Sequence, residues 1–259
     1  MGSFLFLGTG ASTGIPMIWC KCAVCTSSSS FNQRLRPSGL LEIEGKKILI
    51  DAGPDLRLQA LRCGLSHLDG LILTHTHFDH IAGIDELRVF SLKQKQDLPC
   101  LLSQESFQEL ASRYAYLLQV PKETKSVSAR FAFHLLEGLQ GELNFLGIRI
   151  GFVSYAQGTT PVTGFRFGEF AYLSDIKEFD VSILEPLRGV RFLCLSALCK
   201  DPSKFHLSFE EAAALGKKIG AEKTFLTHMN HEVDHEYVSR TLPPGVFLAY
   251  DGLEIAFES

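Results

Sequence analysis

The sequence lacks any apolar run of the roughly 20 residues that a membrane-spanning helix needs. It also lacks an excess of basic residues, because 25 Lys and Arg stand against 29 Asp and Glu and give a formal net charge of −4. A protein that binds long nucleic acid usually carries a basic patch. The composition therefore disfavours both a membrane protein and a protein that binds long nucleic acid.

The pattern at the start of the chain does not predict a secretion signal. The segment Met1–Leu7 is apolar but short, has no basic flank and runs directly into Gly8-Thr-Gly10, so it predicts a first strand rather than a signal peptide. The seven cysteines are an odd number, and Cys20, Cys22 and Cys25 crowd together at a metal-like spacing. We therefore expect reduced thiols and a cytoplasmic location.

No stretch rich in Pro, Ser or charge is long enough to divide the chain, which predicts one domain over residues 1–259. The predicted strands are Phe4–Leu7, Leu40–Ile43, Lys47–Ile50, Gly70–Thr74, Pro99–Leu102, Ile148–Val153, Phe170–Leu173, Arg191–Ser196, Thr224–Thr227, Val246–Ala249 and Glu254–Phe257. The predicted helices are Asp55–Cys63, Gly83–Leu92, Gln104–Leu118, Val181–Leu187, Ser208–Gly220 and Asp234–Thr241. Hairpins precede strand–helix units in each half, which indicates an α/β fold of two sheets packed face to face with helices outside.

Two of these elements carry specific local signals. The segment Leu41–Ile50 predicts a β-hairpin with Gly45 at its turn. Ser208-Phe-Glu-Glu211 predicts a helix start through a capping box, and helix-forming residues continue to Gly220.

The strongest functional signal is the run His75-Thr-His77-Phe-Asp79-His80, directly after the apolar segment Leu71–Thr74. Imidazole and carboxylate groups hold Zn, Mn or Fe while leaving positions open for water. In an extended loop His75 and His77 point the same way and can hold one ion, while Asp79 and His80 reach a second. Two ions roughly 3.5–4 Å apart can flank a phosphoryl or carbonyl centre.

This run resembles the His-x-His-x-Asp-His signature of the metallo-β-lactamase superfamily. The resemblance implies a four-layer αββα sandwich with a metal site at one edge of its two sheets. It also implies two further ligands at the ends of apolar strands. These are Asp175 in Leu173-Ser-Asp175, as a bridging carboxylate, and His228 in Leu226-Thr-His228, as the last histidine.

The cysteine cluster is a second metal signal. Cys20, Cys22 and Cys25 supply three thiolates, and a tetrahedral structural zinc needs four ligands. The residues alone leave the fourth ligand open. Four further cysteines are available, although each stands in an apolar context typical of a small core residue: Cys63, Cys100, Cys194 and Cys199.

A closer resemblance is to the PhnP-like branch of this superfamily, whose members are phosphodiesterases of cyclic phosphates. It extends from Phe4 to Glu254 and rests on the cysteine spacing together with Gly8-Thr-Gly10, Gly14-Ile-Pro16, Arg34-Leu-Arg36-Pro-Ser38 and Ala249–Ile255. The resemblance implies that His231 is the fourth ligand of the structural zinc. It further implies that His206 protonates the leaving group, and that a homodimer is one form of assembly.

Each of two pairs of charged residues has both a functional and a structural interpretation. Arg34 and Arg36 can bind a phosphate through their guanidinium groups, or they can be surface residues or contacts that hold the zinc loop. Asp85 and Arg88, three residues apart on a predicted helix, can support the metal ligands or form an ordinary solvated pair.

The sequence departs from the family pattern at Gln157, where relatives have a histidine that completes the first metal site. An amide oxygen is a much weaker ligand for zinc than imidazole. Neither His134 nor His206 stands at the expected place, although either can move in. Ser196 is a second departure, since many relatives have Asp there. Full occupancy by two ions is therefore an open question.

We predict a metal-dependent phosphodiesterase that cleaves a small, cyclic phosphodiester through a metal-bound hydroxide. The catalytic zinc or manganese, one ion or two, is expected to be held by His75, His77, Asp79, His80, Asp175 and His228. Asp79 and His206 are the predicted catalytic residues. A PqqB-like accessory protein on the same fold is one alternative. A tRNA 3′-processing endonuclease is another, although the acidic charge and the lack of an inserted basic arm weigh against it.

Overall fold

The computed structural model describes residues 1–118 and 128–258. The strands are β1 Gly2–Gly8, β2 Ser38–Ile43, β3 Lys46–Ile50, β4 Gly70–Ile72, β5 Leu98–Leu102, β6 Phe131–Leu135, β7 Gln140–Phe145, β8 Ile148–Gln157, β9 Thr160–Phe167, β10 Phe170–Leu173, β11 Phe192–Ser196, β12 Lys223–Thr227, β13 Val246–Leu248 and β14 Glu254–Phe257. The α-helices are α1 Leu56–Arg62, α2 Phe78–Ile81, α3 Arg88–Gln94, α4 Gln104–Arg113, α5 Ala115–Leu118, α6 Phe209–Ile219 and α7 His235–Ser239. Short 3₁₀ helices lie at Ser30–Asn32, Ile84–Leu87 and Val181–Leu184.

The strands form two mixed sheets of seven strands each, in the orders β14-β1-β2-β3-β4-β5-β6 and β13-β12-β11-β10-β9-β8-β7. Both sheets run from antiparallel pairs at one end, such as β1–β2 and β7–β8, to parallel pairs at the other, such as β4–β5 and β11–β12. Strand β14 pairs with β1 and so brings the last described strand to the first. The predicted layout of hairpins followed by strand–helix units is confirmed.

Alternation along single strands explains how the layers stack. In β3, Ile48 and Ile50 face the core between the two sheets, whereas Leu49 packs against the helices outside the first sheet. In β10, Tyr172 faces the same central core while Leu173 faces the helices outside the second sheet. Successive side chains of a strand point to opposite faces, so strands that are apolar throughout serve two cores. Three apolar cores thus separate four layers, and the predicted αββα sandwich is confirmed.

The two local signals form as predicted. Glu44 and Gly45 both have positive φ, 51° and 76°, as expected for a two-residue hairpin turn between β2 and β3. Ser208 and Glu211 form a reciprocal capping box at the start of α6, and Gly220 closes that helix with a φ of 89°.

Other predicted elements differ from the structure. The predicted helix Gly83–Leu92 is a 3₁₀ turn followed by α3, and Val181–Leu187 is a 3₁₀ turn only. Strands β6 and β7 were not predicted, because they lie at sheet edges, are largely exposed and therefore lack a continuous apolar run. Strand β9 was not predicted because it contains Pro161 and Gly164, which are more typical of loops. Among the described residues, no helix is long and apolar enough to cross a bilayer.

Candidate metal centre

The predicted metal ligands follow the ends of strands from both sheets. His75 and His77 lie on the loop after β4, and the short helix α2 carries Asp79 and His80. The remaining two come from the second sheet, where Asp175 follows β10 and His228 follows β12. The structure brings all six side chains to one edge of the sandwich.

The first group of donor atoms surrounds His75. Its Nε2 atom lies 3.0 Å from His77 Nδ1 and 3.5 Å from Asp175 Oδ2. Two ligand atoms bound to one ion at about 2.0–2.1 Å are separated by roughly this distance. The other ring nitrogen of His77 lies 3.1 Å from Thr160 Oγ1, which holds the ring in place.

The second group surrounds Asp79, whose Oδ2 atom lies 3.4 Å from His80 Nε2 and 3.2 Å from His228 Nε2. Asp175 reaches this group as well, since its Oδ1 lies 3.2 Å from His228 Nε2 and its Oδ2 lies 3.7 Å from His80 Nε2. Asp175 is thus the one carboxylate shared by both groups, which is the position that a bridging ligand needs.

One buried nitrogen tests whether these residues fit a metal. His80 Nε2 is fully buried and has no hydrogen-bond partner within the described residues. Its other ring nitrogen, Nδ1, lies 2.7 Å from Asp51 Oδ2. With a hydrogen on Nδ1, the lone pair of Nε2 points towards Asp79 and Asp175. A cation bound between these groups would accept that lone pair. The donor set of imidazoles and carboxylates therefore fits a divalent transition metal.

The pKa values of the ligands shift in both directions. Burial would lower those of His80 and His228, but the neighbouring carboxylates outweigh it and raise both, whereas His75 and Asp175 are shifted towards the forms that bind metal. Burial, with help from His80, lowers the pKa of the His75 imidazole well below its usual value. Burial alone would raise the pKa of Asp175, but the charge of His228 and other histidines outweighs it and holds that pKa below its ordinary range. Neutral imidazole and ionised carboxylate are the forms that bind metal.

Gln157 and His206 occupy the same cavity. Gln157, at the end of β8, donates from Nε2 to Asp175 Oδ2 at 3.2 Å, and the same nitrogen lies 3.0 Å from His206 Nε2. The His206 ring stacks on the His228 ring with centroids 4.8 Å apart. Burial and the neighbouring His228 lower the pKa of His206 to about 4, so that its ring is neutral at pH 7. His134, in contrast, packs against Phe145 and is not part of this cluster.

A cavity of about 470 Å³ opens over these groups. It is lined by His77, Asp79, Asp175 and His228 on the metal side, and by the rings of Phe78 and Phe205 among its other residues. Sequence reasoning identified neither phenylalanine, because an aromatic residue beside a histidine carries no signal of its own until its exposure is known.

Sequence reasoning also missed the residues that support the ligands. Asp51, directly after β3, accepts hydrogen bonds from Thr74 N and Thr74 Oγ1, both at 2.8 Å, besides its contact with His80. The sequence signal available for Asp51 was an aspartate directly after an apolar strand. On the other side of the loop, Arg113 Nη1 donates to Thr76 O at 2.7 Å and Glu109 accepts a hydrogen bond from the Thr76 hydroxyl.

The cysteine cluster forms a second, separate group. The sulfur atoms of Cys20, Cys22 and Cys25 and a ring nitrogen of His231 all lie within 4.8 Å of one another. His231 Nδ1 is 3.3 Å from Cys20 Sγ and 3.5 Å from Cys22 Sγ. Hydrogen bonds from the Cys25 backbone and from His231 lower the pKa of Cys22 to about 6, which favours a thiolate. Among the described residues, the other four cysteines lie outside this group.

The two arginines and the Asp85–Arg88 pair lie outside the cavity. Arg34 is 1% exposed and donates from Nη2 to Val233 O at 2.8 Å, so it ties the N-terminal loop to the segment after His231. Arg36 pairs with Asp55 at 3.3 Å. Asp85 and Arg88 form a partly exposed i,i+3 pair at 3.3 Å. For all of these residues the geometry supports the structural interpretation.

Comparison with known proteins supplies the family. The sequence model of a protein family described as "beta-lactamase superfamily domain" matches residues 46–229. The Octanoyltransferase of Porphyromonas gingivalis is 31% identical over 255 residues, which are 96% of this chain and 50% of that protein. This chain therefore spans half the length of that curated relative.

Solved structures are similar over almost the whole chain. A diphosphatase from the PhnP family has a TM-score of 0.89 and 35% identity, and the match covers 100% of this chain and 98% of that one. The Zn²⁺-bound PqqB from Methylobacterium extorquens has a TM-score of 0.77 at 17% identity, over 98% of this chain and 100% of that one. At 17% identity, the similarity to PqqB shows a common fold alone.

The first testable prediction concerns the cysteine cluster. We expect Cys20, Cys22, Cys25 and His231 to bind one zinc ion, because three thiolates and an imidazole form a closed tetrahedral set. Cys22→Ser should release one equivalent of zinc and lower the melting temperature, since metal binding contributes folding free energy. Elemental analysis and thermal denaturation measure the two effects. Cys63→Ser, outside the cluster, is the matched control, and an unchanged zinc content in Cys22→Ser would contradict the assignment.

Proposed function

This chain belongs to the β-lactamase superfamily, and within it to the PhnP-like branch, and we propose that it is a metal-dependent phosphodiesterase of a small, cyclic phosphodiester. The observation that carries the proposal is the shared carboxylate of Asp175, which lies within reach of His75 in one donor group and of His80 and His228 in the other. Two adjacent divalent ions are suited to displacement at phosphorus. We take residues 1–259 as the single domain that carries the activity.

Six side chains would hold the ions, namely His75, His77, Asp79, His80, Asp175 and His228. When bound, divalent ions supply Lewis acidity that polarises a phosphoryl oxygen and activates water. Zinc and manganese both suit imidazole and carboxylate donors. The chain's own contribution is orientation, because Asp51 fixes the ring of His80 and Thr160 fixes the ring of His77.

The lining of the cavity favours a substrate of low charge. Within the described part of the chain, no Lys or Arg lines the cavity, so its side chains add no positive charge to that of the ions its donor groups would hold. A phosphodiester carries a single negative charge, whereas a monoester carries up to two. The volume of about 470 Å³ lies within the range of small-molecule sites, roughly 300–1,000 Å³.

His206 is the proposed proton donor to the leaving oxygen. Its ring lies in the cavity beside Gln157 and stacks on His228. The proton passes to the leaving oxygen from the N–H of a protonated imidazole, and the neutral ring that the lowered pKa favours is left behind. An anionic phosphate next to the ring also counteracts the lowering of its pKa.

A phosphoric anhydride is a second candidate for the bond that is cleaved. The solved structure with 35% identity is that of a diphosphatase, and a P–O–P bond presents the same kind of phosphoryl centre as a diester. Assaying one diphosphate beside the cyclic phosphodiesters separates the two candidates.

The second prediction tests the proposed activity. Asp79→Ala and His80→Ala should lower kcat/KM on bis-p-nitrophenyl phosphate by more than roughly 100-fold, which is the most that loss of a supporting group usually costs. Glu86→Ala, an exposed carboxylate nearby, should keep wild-type activity. Absence of metal-stimulated hydrolysis by the wild type on any phosphodiester would favour the accessory protein. Cleavage of a tRNA precursor without activity on small cyclic phosphates would favour the nuclease.

The third prediction tests His206 through the leaving group. An alkoxide needs a proton as it departs, whereas p-nitrophenolate does not. His206→Ala should therefore lower kcat by roughly 10²–10⁴-fold on a cyclic ribose phosphate. On bis-p-nitrophenyl phosphate it should lower kcat far less. His134→Ala is the control outside the cavity, and an equal loss on both substrates would show that His206 does not donate the proton.

The fourth prediction concerns Gln157. The donor group of His75 and His77 lacks an imidazole at this position, so the group of Asp79, His80 and His228 should fill first. Gln157→His should raise the bound metal by up to one equivalent and increase activity at low metal concentration. Metal content and phosphodiesterase rate, titrated with Mn and Zn, measure both effects.

A matched control for Gln157→His adds an imidazole elsewhere in the same cavity. Thr159→His does so two residues away and should gain neither metal nor rate. Two tightly held catalytic ions in the wild type would contradict the role of Gln157, as would a Gln157→His variant that binds no further metal.

A further inference from the structure

The segment between two of the predicted metal ligands is held by a helix outside the first sheet. Thr76 stands between His75 and His77 and is 2% exposed. Arg113 Nη1 donates to its backbone oxygen at 2.7 Å, and Glu109 accepts a hydrogen bond from its hydroxyl. The two charged residues also pair with each other, four residues apart on α4. One ion pair thus binds both the backbone and the side chain of Thr76.

Helix α4 is anchored independently of the metal ligands. Its N-cap residue Ser103 accepts a hydrogen bond from Ser106 N at 3.1 Å. Leu110 is buried in the core outside the first sheet, and the Phe107 ring packs edge-to-face on Phe133 with centroids 5.1 Å apart. A helix fixed by its own cap and core contacts is a rigid element from which an ion pair can position a neighbouring loop.

The two donor groups of the metal centre have different supports. In the second group, His80 is held twice, because its Nδ1 lies 2.7 Å from Asp51 Oδ2 and its backbone oxygen accepts from Ala52 N at 2.7 Å. The ion pair of α4 contacts Thr76 instead, directly before His77. Loss of the pair should therefore displace the ligands on either side of Thr76 more than the ligands on α2.

We propose that Glu109 and Arg113 are positioning residues for one ion of the metal centre, the ion held by His75 and His77. The inference rests on the two-ion arrangement of the proposed function and adds a determinant of its occupancy. Neither positioning residue lines the cavity, so both act through the residue between the two ligands. Because Gln157 stands where a third imidazole is expected, the affinity of this group depends strongly on the orientation of the two imidazoles it has.

Binding of Mn²⁺ alone tests this role without any substrate. Protein as purified is titrated with Mn²⁺ by calorimetry, and its tightly held metal is measured by elemental analysis. Arg113→Ala and Glu109→Ala should each raise the Kd of the weakly held ion by roughly 10-fold, as expected for loss of a group that supports a ligand. The tightly held metal should stay unchanged in both variants. Glu105→Ala, which removes an exposed acid from the same helix, is the matched control and should bind Mn²⁺ like wild type.

A double-mutant cycle shows whether Glu109 acts through Thr76. Thr76→Val removes the hydroxyl that Glu109 binds and keeps the branched shape of the side chain. If both changes remove the same hydrogen bond, the Kd of Glu109→Ala combined with Thr76→Val should rise by clearly less than the product of the two single effects. A role of Glu109 in helix stability alone would instead lower the melting temperature and leave the affinity for Mn²⁺ unchanged.

An unchanged Kd in both single variants would overturn the inference, as would an equal loss of the tightly held metal. A wild type that binds only one catalytic ion at saturation would overturn it too, since no second ion is then positioned. Hydrolysis of bis-p-nitrophenyl phosphate by that wild type would still support the proposed function, so the two failures are distinguishable. If Arg113→Ala does not fold, Arg113→Lys replaces it. This variant keeps the charge but loses the fork that binds two partners, and its Kd should rise in the same direction.

Discussion

The buried carboxylate of Asp51 is the interaction on which the metal centre depends. It accepts two hydrogen bonds from Thr74 and lies 2.7 Å from His80 Nδ1, so one side chain joins the end of β3, the segment after β4 and helix α2. A buried polar group is costly unless it is hydrogen-bonded, and this carboxylate is hydrogen-bonded to both residues. The same contact leaves His80 Nε2 directed at the carboxylates that would share a cation with it.

Two of the ligands and the supporting Asp51 follow strand ends in a backbone conformation that costs free energy. Asp51, Asp175 and His228 have φ values of 62°, 48° and 61°, a region that residues other than glycine rarely occupy. The surrounding structure must therefore hold them there. For His228, Met229 N donates to Thr9 O at 3.0 Å, and Ala11 N donates to Met229 O at 2.8 Å. His231, a member of the cysteine cluster, lies three residues after His228, so the loop after β12 is held from two sides.

Much of the fold was predictable because its signals are local. Runs that are apolar on both faces marked the central strands, and the capping box from Ser208 marked α6. Strands β6, β7 and β9 escaped prediction, since edge exposure or Pro161 and Gly164 remove the apolar pattern that identifies a strand. Pairing of β1 with β14 joins segments about 250 residues apart, which only the folded chain decides.

For the candidate site, the sequence by itself determined the chemistry: a run of imidazoles and carboxylates after an apolar strand, and thiols at a metal spacing. Tertiary structure decided the rest. It made Arg34 a structural contact, brought Asp51 to His80, placed Gln157 against Asp175 and left Phe78 exposed in the cavity. The physical reason is that ligand type follows from residue identity, whereas burial, orientation and shared contacts arise where loops of two separate sheets meet.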